Sequence, residues 1–172
     1  MKGKSILKKA IAVTAAAMAC MLLMSGCGQK MTNSKACLDI VGNALQDVTT
    51  TKVDTTVAYG DSDGVYDQNF EQLYGFSIDK VTDGAIAYAS TGGYADEISI
   101  VKVKDSNDTS EVKKYMDARL QQRLHDFENY SPSEAKKVEN GKTFVQGDYV
   151  CMVIADDADD IVTAMKADLS KR

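Results

Sequence analysis

The sequence has little of what most catalytic and cofactor chemistry needs. His125 is the sole histidine in 172 residues, and the four cysteines form no CxxC pair and no Cys/His cluster. Protein zinc sites are built from such clusters, so no metal ion is expected. No serine or thiol stands in an elbow, or at the spacing that would pair it with His125 as a base. Near the end of a helical stretch, His125 is expected to act only as a favourable charge on the helix dipole. A glycine-rich phosphate loop is also missing, since Gly92-Gly93 is too short and falls in a hairpin turn. No cofactor is therefore expected, and no catalytic residue is assigned. There is no tryptophan, which leaves Tyr94 and Tyr149, both near turns, as the aromatic candidates for a partner or for edge packing. Basic surplus is lacking too. The formal charge is −5, which argues against a nucleic-acid or polybasic membrane surface.

What is present begins with a positive start. Lys2, Lys4, Lys8 and Lys9 precede an apolar run over residues 10–24, and the run closes on Leu23-Met24-Ser25-Gly26-Cys27. A run of roughly 15 residues is shorter than the about 20 needed to span hydrocarbon. A charged start, a short apolar core and small residues at the cut site describe a removable signal. The cysteine adds a lipoprotein signature. Its thiol would carry a diacylglyceryl group, and cleavage would leave Cys27 first. Two acyl chains hold a protein stably on a membrane where one is marginal. The expected organisation is a signal peptide over 1–26, a tether over 27–33 and a single α+β domain over 34–172. The expected address is the cell membrane, lipid-anchored through Cys27 and facing the extracytoplasmic side. Removing the four signal lysines leaves 16 basic against 25 acidic residues, a charge of −9 from Cys27 onward.

Cys20 leaves with the signal, so Cys37 and Cys151 remain. They can form a disulfide outside the cell or stay as two buried thiols on apolar faces.

Ser34 can cap a first helix carrying Ala36, Cys37, Ile40, Val41, Ala44 and Leu45 at helical spacing. Residues 49–64, rich in Thr, Asp and Gly, read as a loop with a short extended piece near Val57. Asp67 can cap a short helix with Phe70, Leu73 and Tyr74, stopped by Gly75. A hairpin follows. Ile86 and Tyr88 share one face of its first strand, and Ala85, Ala87 and Ala89 share the other, where a helix can approach closely. In its second strand Ile98 and Ile100 oppose Val101 and Val103, which requires either a bulge or a strand covered on both faces. A long helix from about Thr109 carries Val112, Tyr115, Met116, Leu120, Leu124 and Phe127, and Tyr130-Ser131-Pro132 ends it. Asn140-Gly141 and Gly147-Asp148 mark a second hairpin whose last strand, residues 149–155, is apolar throughout. A final helix carries Ile161, Val162, Met165 and Leu169. The order ααββαββα predicts an α+β fold. Two ββα units form a four-stranded, mainly antiparallel sheet, with the N-terminal helices packed on it.

Several strings resemble one family of small bacterial lipoproteins, the domain-of-unknown-function family numbered 4358. They are Leu73-Tyr74-Gly75-Phe76 with Ile78-Asp79, and Ala95-Asp96-Glu97-Ile98 running into Lys102-Val103-Lys104-Asp105. Arg119, Gln122, Phe127, Tyr130 and Pro132 follow, then Gly147-Asp148-Tyr149-Val150 leading to Ile154-Ala155-Asp156. The likeness covers roughly residues 35–168. It implies the membrane address and the domain limits, and it transfers no catalytic residue.

Three groups stand out as candidate sites. Asp96 and Glu97 at a strand start, with Arg119 and Arg123 one turn apart on the long helix, can pair with each other or contact a carboxylate, a phosphate or a partner. Asp61-Ser62-Asp63-Gly64 lacks the third acid and terminal Glu of a calcium loop and reads as a turn. Asp156, Asp157, Asp159 and Asp160 read as capping and dipole complementation at a helix start. The expected function is a non-enzymatic binding or interaction module for an unidentified protein or small ligand. Solute capture for a transporter is the alternative, and a small carboxylate-based hydrolase stands third.

Overall fold

Residues Tyr149–Ile154 are apolar throughout because they form an interior strand, covered on both faces. The computed structural model describes residues 36–62 and 64–172. The signal over 1–26, Cys27, the tether over 27–33, the Ser34 cap and Asp63 lie outside the described residues.

In chain order the elements are α1 (Ala36–Leu45), β1 (Thr55–Ala58), α2 (Val65–Tyr74), β2 (Val81–Tyr88) and β3 (Glu97–Val103). They continue with α3 (Thr109–Glu128), α4 (Pro132–Glu139), β4 (Lys142–Gln146), β5 (Tyr149–Ile154) and α5 (Ala158–Leu169). The strands make one five-stranded antiparallel sheet in the order β1-β2-β3-β5-β4. Two hairpins, β2–β3 and β4–β5, meet where β3 pairs with β5. The fold is α+β with five α-helices among the described residues.

Two features correct the sequence-based expectation of the order ααββαββα with a four-stranded sheet. First, β1 is a fifth, edge strand, pairing Val57 with Ile86. At four residues it is too short to show a readable alternation. Second, α4 follows α3 directly. Pro132 ends one helix and opens the next, because a proline at the first helical position loses only an N–H that has no helical partner anyway. The N-terminal helices also part company, α1 on one face of the sheet and α2 on the other.

The period-two pattern of β3 resolves without a bulge in its middle. Ile98 and Ile100 face α1 and α5, while Val101 and Val103 face the layer of α2, α3 and α4. Ala85 and Ala87 present small side chains under α1, where Cys37, Ile40 and Val41 pack. Asp83, on that same face, accepts a hydrogen bond from the Cys37 N–H at 3.0 Å. A buried carboxylate thereby serves one of the unpaired donors in the first turn of α1.

On the other face α2 lays down a row of rings. Tyr66 stacks on Phe70 with centroids 5.6 Å apart, and Phe70 meets Tyr74 at 5.3 Å. Such pairs contribute roughly 0.5–1.5 kcal/mol beyond the area they bury. Gly75 stops the helix with φ 64° and returns its N–H to the Glu71 carbonyl. Asp67 lies within the first turn rather than at the cap, which is Gly64.

Gly84 lets this row close on the sheet. A Cβ there would stand 1.9 Å from the Tyr66 hydroxyl and 2.6 Å from its ring carbon. The ring is buried between α2 and the sheet, against Tyr59 and Phe70. Gly84→Ala is expected to destabilise the fold by about 3 kcal/mol, the upper end of overpacking costs. The check is a lower urea midpoint at unchanged m-value. A loss below about 1 kcal/mol would mean that Tyr66 can be displaced cheaply.

Candidate functional site

Glu97 opens β3 and Asp96 stands just before it, and the two neighbouring carboxylates enter separate charge clusters. Glu97 faces α2 and α3. Its carboxylate receives Arg119 Nε at 3.1 and 3.2 Å and Arg119 Nη2 at 2.7 Å, a forked geometry. The Tyr74 hydroxyl donates to the same group at 2.9 Å. Burial pulls the Arg119 guanidinium down, but Glu97 outweighs it and holds the pKa above the ordinary arginine value.

Asp96 instead turns toward α4. Lys137 Nζ lies 2.7 Å from Asp96, 3.2 Å from Glu134 and 3.4 Å from Asp156. The Lys52 N–H fills the other Asp96 oxygen at 3.1 Å, and the Ala95 N–H donates to Glu134 at 2.8 Å. The sequence grouped Asp96 with Glu97 and the two arginines. The fold divides the set, because α4 supplies a second cation. Lys137 and Glu134 escaped the sequence reading because charged residues on a short helix look like a solvated face. Their spacing of three, which puts both on one side of a helix, was the available signal.

Arg123 is bound less completely than Arg119. Its Nη2 donates to the Tyr94 carbonyl at 3.1 Å, and its guanidinium lies 4.8 Å over the Phe127 ring. Its Nε stands 3.7 Å from Glu97 Oε2, beyond hydrogen-bond reach, and has no hydrogen-bond partner among the described residues. Burial holds the Arg123 guanidinium below its ordinary value, with Glu97 opposing that shift and Arg119 adding to it. A cavity of about 160 Å³ opens here, lined by Asn69 and Leu73 of α2, Tyr88 and Ala89 at the end of β2, Glu97, Arg119 and Arg123. Asn69 donates to the Tyr88 hydroxyl at 3.3 Å across its wall.

Beyond the cavity the surface becomes aromatic. Tyr94 is 43% exposed and Tyr130 is 72% exposed. Arg123 connects them, holding the Tyr94 carbonyl on one side and covering Phe127 on the other, and Phe127 meets Tyr130 with centroids 6.3 Å apart. Tyr149 lies elsewhere, half-buried with Lys102 over its ring at 5.3 Å.

The remaining candidates are dispersed. His125 is exposed and contacts Glu128 at 3.0 Å. Asp61 accepts from the Ala58 N–H at 2.9 Å in a turn. Asp159 and Asp160 occupy the first turn of α5. Asp157 makes no side-chain cap and instead accepts a hydrogen bond from the Thr50 hydroxyl. Cys37 and Cys151 are free, buried thiols, and burial raises both far above the ordinary thiol range, with Asp83 adding to the effect at Cys37. They remain protonated and poorly nucleophilic. Among the described residues no group of three or more His, Cys, Asp or Glu side chains is placed to hold a metal ion, and no helix is long and apolar enough to cross a membrane.

Residues 56–155, more than half of the chain, match the family model described as a domain of unknown function, DUF4358. No curated protein and no solved structure matches the sequence.

Proposed function

We propose that this chain, which belongs to the DUF4358 family, is a lipoprotein anchored through Cys27 on the extracytoplasmic side of the cell membrane, where its folded part is a non-enzymatic interaction module. The address is supported by the sequence Leu23-Met24-Ser25-Gly26-Cys27 behind a basic start and a short apolar run. The module is supported by one observation above the others: Tyr94 and Tyr130 stand exposed on either side of Arg123. Tyrosine and arginine are enriched at the energetic centres of protein interfaces. The Tyr130 ring already rests against Phe127, and a ring held in that way loses less rotamer freedom on binding.

Catalysis by paired carboxylates has less support. Such chemistry needs two acids converging on one substrate position. Asp96 and Glu97 diverge, and each is neutralised by a cation. Solute capture for a transporter is favoured by the cavity beside Arg119 and Arg123, which has room only for a small molecule.

Crosslinking in living cells, followed by mass spectrometry, tests both halves. The lipidated protein is expected to capture one reproducible protein partner through the Tyr94–Tyr130 surface. Tyr94→Ala with Tyr130→Ala is expected to reduce that capture at least tenfold. Fatty-acid labelling is expected to vanish in Cys27→Ser. Capture that ignores the double substitution would sink the interaction surface, and labelling that persists without Cys27 would sink the anchor.

A further inference from the structure

The charges around Glu97 do not cancel. Arg119 is matched by Glu97 through three hydrogen-bond contacts, and the Tyr74 hydroxyl occupies the same carboxylate. Arg123 reaches that shared carboxylate only at 3.7 Å, too far for a hydrogen bond, and its one hydrogen bond goes to an uncharged carbonyl. It is largely withdrawn from solvent, with 17% of its side chain exposed. Asp126, three positions on in α3, is exposed and receives Gln122 at 2.8 Å. A guanidinium offers five N–H donors in a rigid fork that fits planar oxyanions. A buried cation with unfilled donors is costly unless an anion completes it.

The cavity is where that anion fits. Its walls combine Arg123 and the mutually paired Glu97 and Arg119 with the polar tips of Asn69 and Tyr88 and the apolar surfaces of Leu73 and Ala89, so the wall carries one net positive charge. At about 160 Å³ it matches the roughly 150 Å³ of a cavity that accepts benzene. The room therefore suits a ligand of about six heavy atoms. We propose that the cavity between α2, α3 and the ends of β2 and β3 is a carboxylate-binding site, in which Arg123 takes the carboxylate and Leu73 and Ala89 receive a short aliphatic stem. The carboxylate can belong to a free small acid or to the end of a peptide chain. This goes beyond the interaction module and does not rest on it, since neither the anchor nor the exposed tyrosines enter.

The test uses butyrate and its neutral equal in size, butyramide, titrated into the labelled protein while the Arg123 Nε–Hε resonance is followed by NMR. Butyrate is expected to shift that resonance saturably in the millimolar range, and butyramide to bind at least tenfold more weakly. Arg123→Gln is expected to lower butyrate affinity at least tenfold. Leu73→Phe keeps every charge and fills the cavity, and it is expected to do the same, which covers the case in which Arg123→Gln fails to fold. N-acetylglycylvaline against its C-terminal amide separates the two sources. Binding of this peptide acid, with its amide at least tenfold weaker, assigns the site to a chain end, and binding of butyrate alone assigns it to a free acid. The proposal is overturned if neither acid shifts the resonance at tens of millimolar, if acid and amide bind alike, or if binding survives Leu73→Phe unchanged. None of these results bears on the crosslinking outcome.

Discussion

Lys137→Met is expected to cost about 3–5 kcal/mol of folding stability, the range for removing one partner of a buried ion pair. Its side chain is 3% exposed, and its ammonium is the only cation within reach of Asp96, Glu134 and Asp156 among the described residues. Asp96 is wholly buried and Glu134 nearly so. Methionine fills a similar volume, so the loss would report the stranded carboxylates and not a cavity. The same group sets a pH dependence. Burial pulls Lys137 down, and the hydrogen bonds and charges of Asp96 and Glu134 outweigh that pull, so its folded pKa lies above the ordinary lysine value. A raised pKa contributes stability that is complete below the unfolded value of about 10.4. That contribution is lost as pH rises through the folded pKa. Urea unfolding at intervals above that unfolded value should show the wild-type protein losing stability steeply, with Lys137→Met flatter over the same range. Equal slopes would remove Lys137 from the account.

Glu97→Gln is expected to cost almost as much, about 3–5 kcal/mol, because it leaves Arg119 and Arg123 facing each other without an anion. The exchange keeps the shape of the side chain. Charge is therefore the variable, and equilibrium unfolding is the measurement. Replacing both members of the pair, Glu97→Leu with Arg119→Met, should recover part of the loss, since an apolar pair of similar volume does not strand a charge. If the double variant is as damaged as the sum of its parts, the pair is not coupled in the way its geometry indicates.

These two clusters also show what the sequence could and could not reveal. The apolar stripe of α3, the Gly147-Asp148 reversal and the doubly covered β5 were legible because each rests on a local period or a turn dipeptide. The strand β1 reads in the sequence only as an extended piece near Val57, since four residues carry almost no period. The helix α4 was invisible because its buried face is made of Glu134, Ala135, Lys137 and Val138, two of them charged. Asp96, Glu97, Arg119 and Arg123 stand out in the sequence by charge alone, and the fold divides them between two clusters. Their partners were not foreseeable, because which cation meets which acid depends on where α4 docks. The cavity wall from Asn69, Leu73 and Tyr88 is assembled by packing alone, between elements that no local pattern connects.

The seam between the two hairpins has a kinetic consequence. Each hairpin closes over a short connection, the second over Gly147-Asp148 alone. The pairing of β3 with β5 must wait for roughly 46 residues, between Lys102 and Tyr149, to be looped out. Loop-closure entropy makes that step cost on the order of 3 kcal/mol more than the two-residue turn. The two halves of the sheet are therefore disposed to form early and separately, and their joining is the natural bottleneck of folding. Because Glu97 stands at one end of that joint, opposite Ile154, the salt bridge to Arg119 forms where the slow step finishes.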